Sequence, residues 1–140
     1  MLVGNKNYYI KEGVESHEYE MHKYIYDLDI LNVPKIVDYN KTTKSMVMER
    51  INGLSLSDFY GEEARAVPEE MFDQVRDIIK TLVLYNIEYP DITGYNFILD
   101  EKEEEVWIID FQHAKRKNNI RNRFIASFCK GNNRWNRIFG

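Results

Sequence analysis

The 140-residue sequence predicts an α+β fold, with a small antiparallel N-terminal sheet and one helix ahead of a mostly helical second half. Three observations carry this expectation. Short β-rich runs ("NYYIKE", "VPKIVDYN", "KSMVMER") cluster ahead of Ile51 and flank a single helical stretch. A long amphipathic pattern then runs from Pro68 to about Asn86. Last come two strand-like runs, "NFIL" and "EVWIIDF", around the charged tip "DEKEEE".

In chain order, "NYYIKE" reads as a strand ending near Lys11. From Ser16 to Leu31 the pattern is helical, because Glu18, Met21, Ile25 and Leu28 fall on one stripe. "NKTT" closes a hairpin between the next two strands. "INGLSLSDF" reads as a turn leading into a short helix, with Ser55 or Ser57 as its N-cap. Gly61 marks a break, and Pro68 suits the first turn of the long helix. Met71, Val75, Ile78, Ile79 and Leu82 form that helix's apolar face. The tip "DEKEEE" is a solvated hairpin turn.

Composition sets limits. With 44% hydrophobic and 14% aromatic residues, the chain has enough apolar side chains for one core, or for a small two-lobed domain. No apolar run is long enough to span a bilayer, and "MLVGNKNYYIKE" carries no signal-peptide pattern, so neither a membrane nor secretion is expected. A single cysteine, Cys129, excludes an internal disulfide, which makes a reducing, cytoplasmic (intracellular) setting the default. The net charge of −4 is uneven: from Ala114 onward there are eight Lys or Arg and no acid, leaving −12 on the preceding residues. This basic tail, 115–137, could serve nucleic acid, acidic partners or simple solubility. Its Phe124, Ile125, Phe128, Trp135, Ile138 and Phe139 favour instead a packed helix with a basic outer face. "HEYEMH" looks like a zinc motif, but histidines at i and i+5 diverge by about 140° on a helix, so no metal site is expected there.

The chemistry-bearing pattern lies in "YPDITGYN" and "IIDFQHA". Asp91 and Asn96 keep the spacing D-x-x-x-x-N, and Asp110 follows at a strand end. Asp91 and Asn96 are also residues that form ordinary turns. Together with Asp110, however, they form an oxygen-donor set suited to Mg²⁺, whose remaining ligands are waters and phosphates. One carboxylate could accept the proton of an attacking hydroxyl while the other two side chains hold metal.

This arrangement resembles the protein-kinase-like superfamily, whose catalytic loop reads H-x-D-x-x-x-x-N and whose metal motif reads D-F-G. The resemblance spans roughly residues 8–114 and implies a truncated two-lobed protein-kinase-like fold. Residues 1–51 would be a reduced N-lobe of strands plus one helix. Residues 52–140 would be a reduced C-lobe, with a catalytic-loop-like segment at 89–96, a DFG-like segment at 110–112 and a basic C-terminal helix. It implies ATP and Mg²⁺ as cofactors. Lys11 in "YYIK" would contact the α- and β-phosphates, and Glu18, on the inward stripe, would be its carboxylate partner. The alternative for both is plain surface charge. By the same resemblance Met48 is the gatekeeper, and the backbone of Glu49 and Ile51 hydrogen-bonds adenine. Asn96 and Asp110 hold the metal, and Asp91 is the base.

The chain departs from the family pattern in three respects. Ahead of Lys11 the only glycine is Gly4, so no glycine-rich phosphate loop is expected. "YPD" stands for "HRD", Gln112 for the glycine of D-F-G, and Thr93 for a frequent Lys or Arg. Only 28 residues follow Gln112, and no "APE" segment is among them. "DFQ" followed by a small residue is similar to the aminoglycoside and choline phosphotransferases, and the short length is nearest to RIO and KEOPS-type kinases. Three functions are therefore expected, in this order. The first is a minimal phosphotransferase moving the γ-phosphate to a hydroxyl. The second is a pseudokinase-type binding module or decoy that engages a partner protein, or self-associates, through surface left by absent helices. The third is an ATP-dependent factor of an RNA-containing assembly.

Overall fold

Aromatic and β-branched side chains are concentrated in the first strands, where successive residues face opposite sides of a sheet. In a computed structural model describing residues 7–137, β1 (Tyr8–Lys11), β2 (Ile36–Asn40) and β3 (Ser45–Glu49) form an antiparallel sheet of order β1-β3-β2. Gly4, Ile138 and Phe139 lie outside the described residues. The turn expected at "NKTT" is closed by Asn40, whose Oδ1 accepts the Thr42 and Thr43 N–H groups at 3.0 and 3.1 Å. Met46 and Met48 of the central strand pack on Val14 beneath this sheet.

Helix α1 (Ser16–Leu28) stacks Tyr19 on Tyr39 of β2, ring centroids 4.3 Å apart, and buries Glu18, Met21, His22 and Ile25. It stops three residues short of the expected Leu31 because Asp29 takes a left-handed conformation (φ 55°) and turns its N–H back to the Tyr26 carbonyl. Of the two proposed caps for α2 (Leu56–Tyr60), Ser55 is the one used: its Oγ accepts the Asp58 N–H at 3.0 Å. Ser57 lies inside the helix and is buried. Helix α3 (Glu69–Leu84) buries all five residues of its expected apolar face.

A second sheet, of order β4-β6-β7, contains one strand the sequence did not signal. β4 (Gly53–Ser55) pairs antiparallel with β6 (Phe97–Asp100), which pairs in turn with β7 (Val106–Ile108). A Cβ at Gly53 would lie 1.8 Å from the Leu99 carbonyl oxygen, so only glycine permits the first β4–β6 pair. The two short strands β5 (Ile87–Glu88) and β8 (Lys115–Arg116) form a ladder of their own.

The tail differs from the basic helix expected. Helix α4 covers only Arg123–Cys129, burying Ile125 and Phe128, and it contains one of the tail's eight basic residues, Arg123. Lys115 and Arg116 are held in β8, and Asn119 adopts φ 57° in the connection that follows, so no helix can run through 115–122. The main core joins Met21, Ile25 and Val33 to Leu56, the buried face of α3, Phe97, Ile108, Phe111 and Phe128. Apolar contact is thus continuous across residue 51. Among the described residues, no helix is long and apolar enough to cross a membrane.

Candidate active site

Strand β1 and helix α1 bring Lys11 and Glu18 together seven residues apart, with Lys11 Nζ 2.5 Å from Glu18 Oε2. From the far end of the chain, Asp110 places Oδ1 3.6 Å from the same ammonium group. Glu18 is buried, whereas Lys11 and Asp110 are each about one-third exposed at the edge of a cleft. Burial alone would lower the Lys11 pKa. The hydrogen bond and charge of Glu18, with the charge of Asp110, outweigh it and raise the pKa above 10.5. Lys11 is therefore a fixed cation between two carboxylates. The surface-charge reading of this pair does not describe the geometry.

The loop after β5 is built from its own polar groups. Asn96 donates Nδ2–H to the Asp91 carbonyl at 2.9 Å, and the Thr93 N–H reaches the same carbonyl at 2.9 Å. Asn96 thus closes the turn and also lines the same cleft as Asp110. Tyr89, where the family pattern has histidine, is almost fully buried and donates its hydroxyl to the Ile109 carbonyl at 2.6 Å. That bond ties the loop to the residue preceding Asp110. Burial, with the nearby Asp110 and Asp91 charges, pushes the Tyr89 hydroxyl pKa well above 10, so it stays a donor. Asp110 itself takes φ 62°, and its Oδ1 accepts the Gln112 N–H at 3.3 Å.

Asp91 is buried to 4% exposure. Its Oδ2 accepts Nδ1–H of His113 at 2.7 Å, while Oδ1 meets no donor among the described residues. Burial raises the Asp91 pKa, and the hydrogen bond and charge of His113 offset this only in part.

A cleft of about 420 Å³ opens between the two sheets. It is lined by seven of the eight residues singled out from the sequence: Lys11, Glu18, Met48, Glu49, Ile51, Asn96 and Asp110. Asp91 is the exception, lying behind Asn96 on the side of His113. At the other end of the cleft the Glu49 N–H is bonded to the Lys35 carbonyl at 2.9 Å, and the Ile51 carbonyl accepts the Gly53 N–H at 3.0 Å. A second cavity of about 870 Å³ shares Tyr95 with the first and is lined by Thr93, Gly94, Arg65, Arg134 and Arg137.

The two histidines of "HEYEMH" diverge as their spacing requires. His17 donates Nε2–H to the Ala114 carbonyl and His22 donates its own to the Pro34 carbonyl, both at 2.7 Å. Among the described residues no three His, Cys, Asp or Glu side chains cluster to hold a metal. Residues that the sequence did not single out also enter the site. His113 pairs with Asp91, and Asp58 and Tyr95 line the cleft. Only His113 left a trace in sequence, three residues after Asp110, and its contact depends on a long-range approach.

Comparison with known proteins agrees with this architecture. Among solved structures, the chain is similar to the Cydia pomonella granulovirus kinase PK-1, with a TM-score of 0.60 and 18% identity. The alignment covers 81% of this chain and 45% of that one, so the chain spans less than half the length of the viral kinase. At that identity the likeness shows a shared protein-kinase-like fold. No match is found among curated proteins. The family model of the RIO domain matches residues 3–129, nearly the whole chain from β1 through α4. The chain belongs to the RIO-domain family.

Proposed function

We propose that the protein is an ATP- and Mg²⁺-dependent phosphotransferase that delivers the γ-phosphate to a hydroxyl group. The observation that carries this reading is the position of Lys11 Nζ, held by buried Glu18 and facing Asp110 at one end of the cleft. A cation restrained in this way has little to gain from further protein contacts and can meet phosphate oxygens. The adenine ring fits the apolar end, against Met48 and the backbone of Glu49 and Ile51.

Asn96 and Asp110 are oxygen donors that line the same cleft as Lys11, which fits Mg²⁺. When bound, the ion would screen the phosphate charge. The chain's own residues do the rest. Lys11 orients the α- and β-phosphates, and Asp91 is the base that takes the proton of the acceptor hydroxyl. The hydroxyl oxygen forms its bond to the γ-phosphorus as the bond to the β-phosphate oxygen breaks, and ADP leaves with that electron pair. Thr93 supplies no cation beside the loop, and the second cavity, which carries Arg134 and Arg137, is the proposed acceptor side.

Calorimetry with Mg²⁺·ATP tests the reading. Wild type is expected to bind only with Mg²⁺, and Asp110→Asn to weaken binding at least tenfold, about 1.4 kcal/mol. No binding by folded wild type would sink the enzyme reading of this chain. A binding module or decoy remains the second reading, favoured by the His113 hydrogen bond that occupies one oxygen of Asp91. Binding of nucleotide with no phosphoryl transfer to any acceptor would support it.

A further inference from the structure

The segment after α4 is fastened along its length. Its Asn132 N–H reaches the Ser127 carbonyl at 2.9 Å, and Asn133 donates Nδ2–H to the Phe124 carbonyl at 3.2 Å. Next, Arg134 lies over the Phe72 ring, 5.2 Å from its centroid, and pairs with Glu69. Trp135 then packs 4.5 Å from Phe72 and stacks parallel to Phe97 at 6.3 Å. The segment finishes on the catalytic-type loop. Asn136, which is buried, donates its backbone N–H to the Ile92 carbonyl at 2.7 Å and its side-chain Nδ2–H to the Pro90 carbonyl at 2.9 Å.

Those two carbonyls flank Asp91 on either side. Gly94 completes the fit: a Cβ there would stand 3.2 Å from Trp135 Cε2 and 2.0 Å from Ser57 Oγ. The absence of a side chain at Gly94 lets the indole and α2 close on the loop together. Asn96 holds the carbonyl of Asp91 itself, so three successive carbonyls, of Pro90, Asp91 and Ile92, are each held by an asparagine.

We infer that Asn136 is a positioning residue for Asp91, and that the strap 132–136 acts as an external clamp setting the height and direction of the loop carboxylate. The inference rests on the phosphotransferase reading for its kinetic consequence, but the clamp itself is a structural claim with its own readout. The physical argument is that a short loop has few intrinsic restraints, whereas transfer chemistry needs its groups held to within a fraction of an ångström. Donors from outside the loop supply this restraint, and none of residues 132–136 lines the nucleotide cleft, although Asn136 also lines the second cavity.

Amide hydrogen exchange and single-turnover kinetics test the inference together. Asn136→Leu keeps the branched outline at a larger volume and removes the side-chain donor, while Asn136→Gln keeps an amide donor on a longer stem. In Asn136→Leu, exchange of the Thr93 and Asn96 amides is expected to rise at least tenfold, with β1–β3 and α3 unchanged. The rate of phosphoryl transfer is expected to fall ten- to hundredfold while Mg²⁺·ATP affinity stays within twofold of wild type. Asn136→Gln is expected to recover part of both losses. Unchanged loop exchange in folded Asn136→Leu overturns the clamp. Equal losses of nucleotide affinity and rate also overturn it, because they mark general damage rather than loop misplacement. If the loop loosens as expected but wild type transfers no phosphate, the clamp stands and the proposed function fails.

Discussion

His22 shows how far one buried group can be read. It is 1% exposed, and burial pulls its pKa down from 6.5 to about 4, with the nearby Lys11 charge acting in the same direction. The hydrogen bond to Pro34 opposes the shift only partly. Because the folded pKa lies below the unfolded one, the unfolded chain takes up a proton first as pH falls. Stability is therefore expected to decline between pH 6.5 and about 4, by up to ~3 kcal/mol, and to level off below that. Urea midpoints measured at pH 7 and pH 4.5 on wild type and His22→Gln check this. Parallel losses in both proteins would assign the acid sensitivity to other groups. Lys11 contributes at the opposite extreme: its raised pKa gives stability that is lost only as pH rises past 10.5.

At the scale of elements, local signals locate helices better than they locate short strands. The apolar stripe of α3 and the serine cap of α2 are visible as residue patterns, since periodicity and capping act within a few residues. Strand β4 has three residues, and β5 and β8 have two each, too few for any period to show. Each exists because a partner strand arrives from elsewhere in the chain. Gly53 is the exception, since its freedom from a side chain is a local property with a non-local use. Gly53→Ala is expected to break the β4–β6 pairing at its first rung and to cost about 1–3 kcal/mol. Loss of amide protection in β4 and the neighbouring β6, alongside a lowered urea midpoint, would show it. An unchanged midpoint would mean that the strands can separate there without penalty.

For the whole molecule, Phe111 is the informative side chain. It is fully buried, with His22 edge-on at 5.1 Å from α1 and Tyr89 at 5.8 Å from the loop. Phe111→Ala is expected to cost about 3–5 kcal/mol, the range for emptying a buried aromatic site. Because one apolar cluster runs from Met21 through α3 to Phe128, wild type is also expected to unfold in a single transition. Far-UV dichroism and tryptophan fluorescence would then coincide along a urea series. Two separated transitions would mean that the parts on either side of residue 51 fold independently.

The sequence by itself determined the helix of the N-terminal half, the hairpins, the apolar face of α3 and seven residues that line the cleft. All of these follow from periodicity, capping and family motif spacing, which act through neighbouring positions or through residue type. Tertiary structure alone decided that Lys11 would meet Asp110, that His113 would bond Asp91 and that Asn136 would hold the carbonyls beside it. These contacts join residues 99, 22 and 46 positions apart. Nothing in a local window encodes such distances, because the free energy that forms them comes from burying a shared core rather than from any single segment.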